Sequence, residues 1–91
     1  MRKAYRSRVR IHYDVLNAVL NQGHARIAAI VRDANLPYDR LQRYLEELAE
    51  KGLLARHQDD PSLFYVTEKG LRSVEEFRRF MRLARAFGLE I

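Results

Sequence analysis

The sequence predicts an α+β fold, mostly α, built from three helices, a β-hairpin and a C-terminal helix. Three observations predict it. Apolar residues recur at helical spacing on three successive segments before Gly52. Two short apolar runs, Leu53 to His57 and Leu63 to Val66, flank the turn Gln58 to Ser62 with its Asp-Asp-Pro-Ser. Thr67 then stands as the N-cap of a long amphipathic segment. Three helices, a hairpin and a capped helix, in that order, make a winged helix-turn-helix with the hairpin as its wing.

Each element has its own signal. Ser7 is the N-cap of a first helix running to about Asn21, with Gly23 just past its end. Ile11, Val15, Ala18 and Val19 form one apolar stripe and Val9, Leu16 and Leu20 a second, so this helix is expected to be contacted from two sides. A second helix is expected from about Ala25 to Ala34, because Ile27, Ile30, Val31 and Ala34 fall at i, i+3, i+4 and i+7. Asn35-Leu36-Pro37 breaks it, and Pro37 opens the third helix, which runs to about Lys51 with Leu41, Tyr44, Leu45 and Leu48 inward. Gly52 stops that helix.

The fourth helix runs from about Glu68 to Ala86 or Phe87 and carries two stripes. Leu71, Val74, Phe77, Met81 and Ala84 make one, and Phe80, Leu83 and Phe87 the other. Gly70 near its start is unfavourable by about 1 kcal/mol against alanine, and a close backbone approach would account for it. The organisation expected is a single compact unit: residues 1–70 as the winged domain with its basic arm, and residues 71–91 as a dimerisation helix.

Composition narrows the function. The chain has 91 residues and no cysteine, so disulfides, thiolate metal sites and a cysteine nucleophile are excluded. No apolar run approaches the roughly 20 residues of a membrane span, and the basic N-terminus lacks the apolar core of a secretory signal. A cytoplasmic, nucleoid-associated location is expected. The net charge is +5, which points to a polyanion. Five cations (Arg2, Lys3, Arg6, Arg8 and Arg10) lie in the first ten residues without an acid, and the other 12 Lys and Arg are matched by 12 Asp and Glu. A DNA surface on the rest of the domain must therefore come from local clustering. Arginine outnumbers lysine 14 to 3, which suits phosphate and guanine contacts, although a biased genome composition explains it equally well.

The first functional candidate is the front of the third helix. In a helix-turn-helix the second helix of the motif enters the major groove with its N-terminal residues at the base edges. Tyr38, Arg40, Gln42 and Arg43 occupy that half, and Arg and Gln are suited to guanine and adenine respectively. Glu46, Glu47 and Glu50 fill the outer face of the back half. The plainer alternative is a solvated amphipathic helix whose acids pair with Arg43 and Lys51. Arg56 and His57 on the wing, Arg26 on the second helix, and Arg8 and Arg10 on the first complete the DNA-binding set. Asp59 and Asp60 at the wing tip argue against deep insertion, because carboxylates are repelled by phosphates.

The second candidate is an assembly surface. Val74, Phe77, Met81 and Ala84 follow the 3-4-3 spacing of a helix seam, and Phe80 and Phe87 lie beside it. Arg78, Arg79, Arg82 and Arg85 are expected on the outer side, with Glu75 pairing Arg79. A homodimer would present two reading heads. Catalysis has little support. His12, His24 and His57 are scattered, and the chain has no phosphate loop, metal-spaced cluster or nucleophile motif, so no enzyme activity, cofactor or metal is expected.

The residues carry a resemblance. The opening Arg10-Ile11-His12-Tyr13-Asp14-Val15-Leu16, the turn Ala34-Asn35-Leu36-Pro37-Tyr38 and the run Leu41-Gln42-Arg43-Tyr44-Leu45 resemble the small archaeal winged helix-turn-helix DNA-binding proteins. The specific likeness is to the crenarchaeal chromosomal type with a C-terminal dimerisation helix. Lys51-Gly52-Leu53-Leu54 and Tyr65-Val66-Thr67-Glu68-Lys69-Gly70 match winged helices in general. The resemblance spans about residues 8–85 and implies a homodimer joined by antiparallel C-terminal helices. It also implies binding of double-stranded DNA through Tyr38, Arg40, Gln42 and Arg43 and through the wing residues Arg56 and His57. Two departures are the acidic wing tip and a last helix short for a long coiled coil.

The reading these features favour is a DNA-binding protein, either a transcriptional regulator or a chromosomal architectural protein. The alternative is a winged-helix protein–protein interaction module without direct DNA binding, motivated by the neutral domain surface. A third reading is a sensor with a ligand pocket between the first and last helices.

Overall fold

The structure, a computed structural model, describes residues 6–90. The order of elements is α1 (Arg8–Gln22), β1 (Ala25–Arg26), α2 (Ile27–Ala34), α3 (Tyr38–Glu50), β2 (Leu54–Arg56), β3 (Leu63–Val66) and α4 (Glu68–Ala86). Four helices and a small antiparallel sheet make the mostly helical winged-helix architecture that the sequence predicts.

The predicted caps form. The Ser7 hydroxyl accepts from the Arg10 amide at 3.1 Å, and the Thr67 hydroxyl accepts from the Gly70 amide at 3.0 Å. Each satisfies an otherwise orphaned amide of a first helical turn. Asn35 ends α2 in the left-handed region, at φ 55 and ψ 55, a conformation that its short polar side chain tolerates better than most. Pro37 is the N-cap of α3, one position before the first turn that was expected to hold it.

One boundary differs in kind. Ala25 and Arg26 were expected to begin the second helix, but they form β1. Ala25 pairs with Phe64 and Arg26 with Leu63, so the hairpin becomes a three-stranded sheet in the order β1-β3-β2. A two-residue strand has no periodicity to read; it exists because β3 offers a free edge, and the helical pattern starts only at Ile27. On the other edge of β3, Leu54, Ala55 and Arg56 pair with Val66, Tyr65 and Phe64.

A single core joins these elements. Val15 and Val19 of α1, Ile30 of α2, Leu41 and Leu48 of α3, Leu54 of β2, Phe64 of β3 and Val74 of α4 are all buried in one cluster. Burying each such side chain contributes about 1.5–3 kcal/mol. α1 lies at the centre, against α2, α3 and α4, which is why its apolar face is wide. The junction between wing and α4 is tied by polar groups. The Thr67 hydroxyl donates to the Gly52 carbonyl at 2.6 Å, and the Lys69 ammonium donates to the Lys51 carbonyl at 2.8 Å.

α4 uses its two stripes differently from the expectation. Val74, Met81 and Ala84 are buried within this chain, so three of the four residues assigned to a partner seam are already covered. Phe77 is half-buried, with its ring 4.9 Å from that of Tyr13. The stripe left open contains Phe80, Leu83 and Phe87; Leu71 and Leu89 are exposed elsewhere. Arg78 also departs from expectation: it faces α1, donating to the Tyr13 hydroxyl at 3.1 Å and to Asn17 Oδ1 at 2.7 Å. Arg79 pairs with Glu76 at i,i+3 rather than with Glu75.

Candidate nucleic-acid interface

The front of α3 projects four side chains away from the core. Leu41, Leu45 and Leu48 take the inner face, and this leaves Tyr38, Arg40, Gln42 and Arg43 exposed. Tyr38 is half-exposed. Gln42 reaches the Tyr38 hydroxyl only at 3.4 Å, a weak contact that leaves its amide available. Among the described residues, no carboxylate lies within ion-pair distance of Arg40 or Arg43.

Two depressions flank this helix face. On the α1 side, Arg8, Arg40, Arg43, Tyr44 and Glu47 line a hollow of about 290 Å³. Three guanidinium groups and one carboxylate share it. On the wing side, Tyr38, Gln42, Glu46, Arg56, Ser62 and Phe64 line a second hollow of about 220 Å³, with one guanidinium and one carboxylate. The Arg56 guanidinium stacks 4.6 Å over the Phe64 ring and donates to the Pro61 carbonyl at 2.9 Å. The fold thus gathers Arg8, Tyr38, Arg40, Gln42, Arg43 and Arg56 along one face.

The other candidates lie elsewhere. Arg10 turns toward α4, where it pairs with Asp14 at 3.0 Å and touches Met81 Sδ at 3.3 Å. It lines a separate hollow with Arg85 and Leu89. Arg26 reaches across to the wing turn, donating to Ser62 Oγ at 2.6 Å and to Asp60 at 3.2 Å. His57 lies with its ring 5.0 Å from that of His24, and His24 is in turn 5.8 Å from Tyr65. Among the described residues no three His, Asp or Glu side chains converge on a metal-sized site.

The basic arm divides in the same way. Arg2 and Lys3 lie outside the described residues. Arg6 bonds to Asp14 at 2.9 Å, to the Ala34 carbonyl at 2.7 Å and to the Asn35 carbonyl at 2.8 Å. It therefore satisfies carbonyls at the end of α2 and ties the residues just before α1 to the turn before α3. Nothing in the sequence spacing marks this role.

The acidic wing tip is partly neutralised within the chain. Asp60 accepts from the Ser62 hydroxyl at 2.6 Å and from the Ser62 amide at 3.1 Å. These bonds, with Arg26 beside them, hold its carboxyl below the usual aspartate range. Asp59 remains exposed.

Behind α3 the sequence reading missed a pair. Glu47 holds Arg8 at 2.6 Å through Oε2. Its other oxygen, Oε1, stands 3.6 Å from His12 Nε2, too long for a hydrogen bond but within ion-pair reach. The His12 ring packs edge-on against Tyr44 with centroids 5.3 Å apart. Burial lowers the His12 pKa, opposed by the neighbouring Glu47 carboxylate.

Similarity to known proteins agrees with the fold. A sequence profile described as winged helix-turn-helix matches residues 5–85. The solved structure of Sso10a-2, a DNA-binding protein from Sulfolobus solfataricus, superposes with a TM-score of 0.76 at 23% identity, over 90% of this chain and 85% of that one. BpsR of Bordetella bronchiseptica, whose DNA binding is regulated by 6-hydroxynicotinic acid, superposes with a TM-score of 0.72 at 24% identity, over 84% of this chain and 61% of that one. No curated protein sequence matches the chain. No helix among the described residues is long and apolar enough to cross a membrane.

Proposed function

The chain belongs to the winged helix-turn-helix family, and from that premise we propose that it binds double-stranded DNA as a non-enzymatic regulator or chromosomal architectural protein. The observation that carries this reading is the front of α3. Arg40 and Arg43 extend from a rigid helix without a carboxylate partner among the described residues, beside Arg8 on one flank and Arg56 on the other. The unpaired guanidinium groups of Arg40 and Arg43, next to Gln42 and Tyr38, suit both phosphate oxygens and purine edges. Arg8 and Arg56 belong to the proposed contact set with Tyr38, Arg40, Gln42 and Arg43. Arg10, held by Asp14 and Met81, does not. Arg26 acts indirectly, by fastening the wing turn.

The protein acts as a homodimer in this reading. Phe80 is 47%, Leu83 58% and Phe87 74% exposed on one side of α4, an apolar stripe that solvent disfavours and a second copy would cover. Two copies joined there would carry two reading heads. With a DNA partner, a cytoplasmic, nucleoid-associated location follows.

The test is binding of duplex DNA, followed by fluorescence anisotropy, for the native chain and for Arg40→Ala/Arg43→Ala. The native chain should bind and the double variant should lose most of its affinity while keeping its fold. Failure of the native chain to bind any duplex, together with capture of a specific protein, would favour the interaction-module alternative.

A further inference from the structure

Arg8 is not free in the way that Arg40 and Arg43 are. Its guanidinium Nη2 lies 2.6 Å from Glu47 Oε2, and the two side chains line the same hollow as Arg40 and Arg43. A carboxylate beside three guanidinium groups occupies the place an incoming phosphate oxygen would take. The second oxygen of Glu47 faces His12 Nε2 at 3.6 Å. That nitrogen is buried and has no hydrogen-bond partner among the described residues. One carboxylate thus stands between an arginine on the outer side and an imidazole on the inner side.

Resting on the DNA-binding reading above, we propose that Glu47 is a resident counter-ion that competes with DNA phosphate for Arg8, and that His12 accepts a proton when phosphate displaces the carboxylate. In the free protein Arg8 neutralises Glu47, and the imidazole behind it stays neutral. In the complex the phosphate takes Arg8. Glu47 then keeps its full charge beside a partly buried His12, and a proton on Nε2 completes a new pair. The proton comes from solvent and resides on the imidazole, so no other bond forms or breaks. DNA binding and proton uptake are therefore linked, with His12 and Glu47 as positioning residues for Arg8.

The surroundings of His12 decide the sign. Glu47 of α3 favours the charged imidazole, while Lys51 just past the end of α3 and Arg8 of α1 oppose it. Tyr44 supplies a ring edge. The α4 residues that line the hollow on its other side, Ser73, Val74 and Phe77, carry no charge. Moving Arg8 onto phosphate leaves Glu47 as the dominant neighbour, and the His12 pKa rises on binding. The complex then holds more protons than the free components, so affinity increases as pH falls through the bound-state pKa and levels off below the free-state value. Each unit of rise corresponds to about tenfold tighter binding at the acidic plateau.

The experiment has two arms. In the first, NMR titration of the His12 ring protons in the native chain measures its pKa free and saturated with a mixed-sequence duplex. The pKa should rise in the complex, and an unchanged value overturns the proposal without any variant having to fold. In the second, duplex affinity is measured between about pH 7.5 and 5.5, the range in which histidine titrates. His12→Gln should flatten part of the native pH profile. The remainder belongs to groups that this variant leaves intact. Glu47→Gln should bind more tightly than the native chain at the alkaline end, because Arg8 is released, and should show the same flattened profile. A His12→Gln profile that superposes on the native one, or a Glu47→Gln variant that binds no more tightly, overturns the proposal. Absence of duplex binding by the native chain at every pH overturns the parent reading as well, which is a distinguishable outcome.

Discussion

The carbonyl oxygen of Leu53 occupies the space in which a side chain on Gly70 would begin: a Cβ built there overlaps that oxygen and crowds Val66. This contact fixes where α4 leaves the wing, and it explains a glycine in the first turn of a helix. Backbone cannot yield as a flexible side chain does. Gly70→Ala should therefore destabilise the fold by about 1–3 kcal/mol, despite the better helix propensity of alanine. Chemical denaturation monitored by circular dichroism checks this, and a variant as stable as the native chain would show that the junction can relax.

The two stripes of α4 should separate assembly from folding. Phe80→Glu/Leu83→Glu alters only exposed positions and should give a folded monomer by light scattering. Val74→Glu puts a charge at a fully buried position and should unfold the chain, because an unpaired buried carboxylate costs several kcal/mol. A Phe80→Glu/Leu83→Glu protein that remains a dimer would move the interface elsewhere.

Stability should depend on pH through His12. Its folded pKa lies below the ordinary value because burial disfavours the charged ring. The unfolded state thus binds the proton more readily, and stability rises with pH across this window. The contribution is complete above the ordinary histidine value near 6.5. It is lost as pH falls from there toward the lowered folded value. Thermal melts of the native chain and of His12→Gln across this range should converge at the acidic end, after allowance for any constant offset. Parallel curves would assign the dependence to other groups.

Much of the fold is legible in the sequence because it is local. Ser7, Thr67, Gly23, Asn35 and Gly52 punctuate the elements through their own backbone and capping chemistry. The apolar spacing of Ile30, Ala34, Leu41, Leu45 and Leu48 states which faces turn inward. β1 was not legible, since Ala25 and Arg26 are strand only by virtue of Phe64 and Leu63, almost forty residues away in the chain. The 3-4-3 spacing on α4 announced an apolar face without saying whether α1 or a second chain would cover it, and α1 covers Val74. The site divides along the same line. Tyr38, Arg40, Gln42 and Arg43 are exposed because the helix period requires it. The fates of Arg6, Arg8, Arg10 and Arg26 depend on distant partners: Asp14, Glu47, Met81 and Asp60. Of the basic residues before and at the start of α1, Arg6 and Arg10 are structural, and Arg8 between them faces α3.

The most direct measurement of the central claim is the salt dependence of duplex DNA affinity for the native chain beside Arg40→Ala/Arg43→Ala. Each phosphate neutralised adds about −0.9 to the slope of log affinity against log salt. Contacts from Arg8, Arg40 and Arg43 predict a slope of about −2.7 or steeper per reading head, and the double variant should be shallower by about 1.8. Native binding that is insensitive to salt, or a double variant with the native slope and affinity, would contradict the assignment of the front of α3 as the DNA-binding surface.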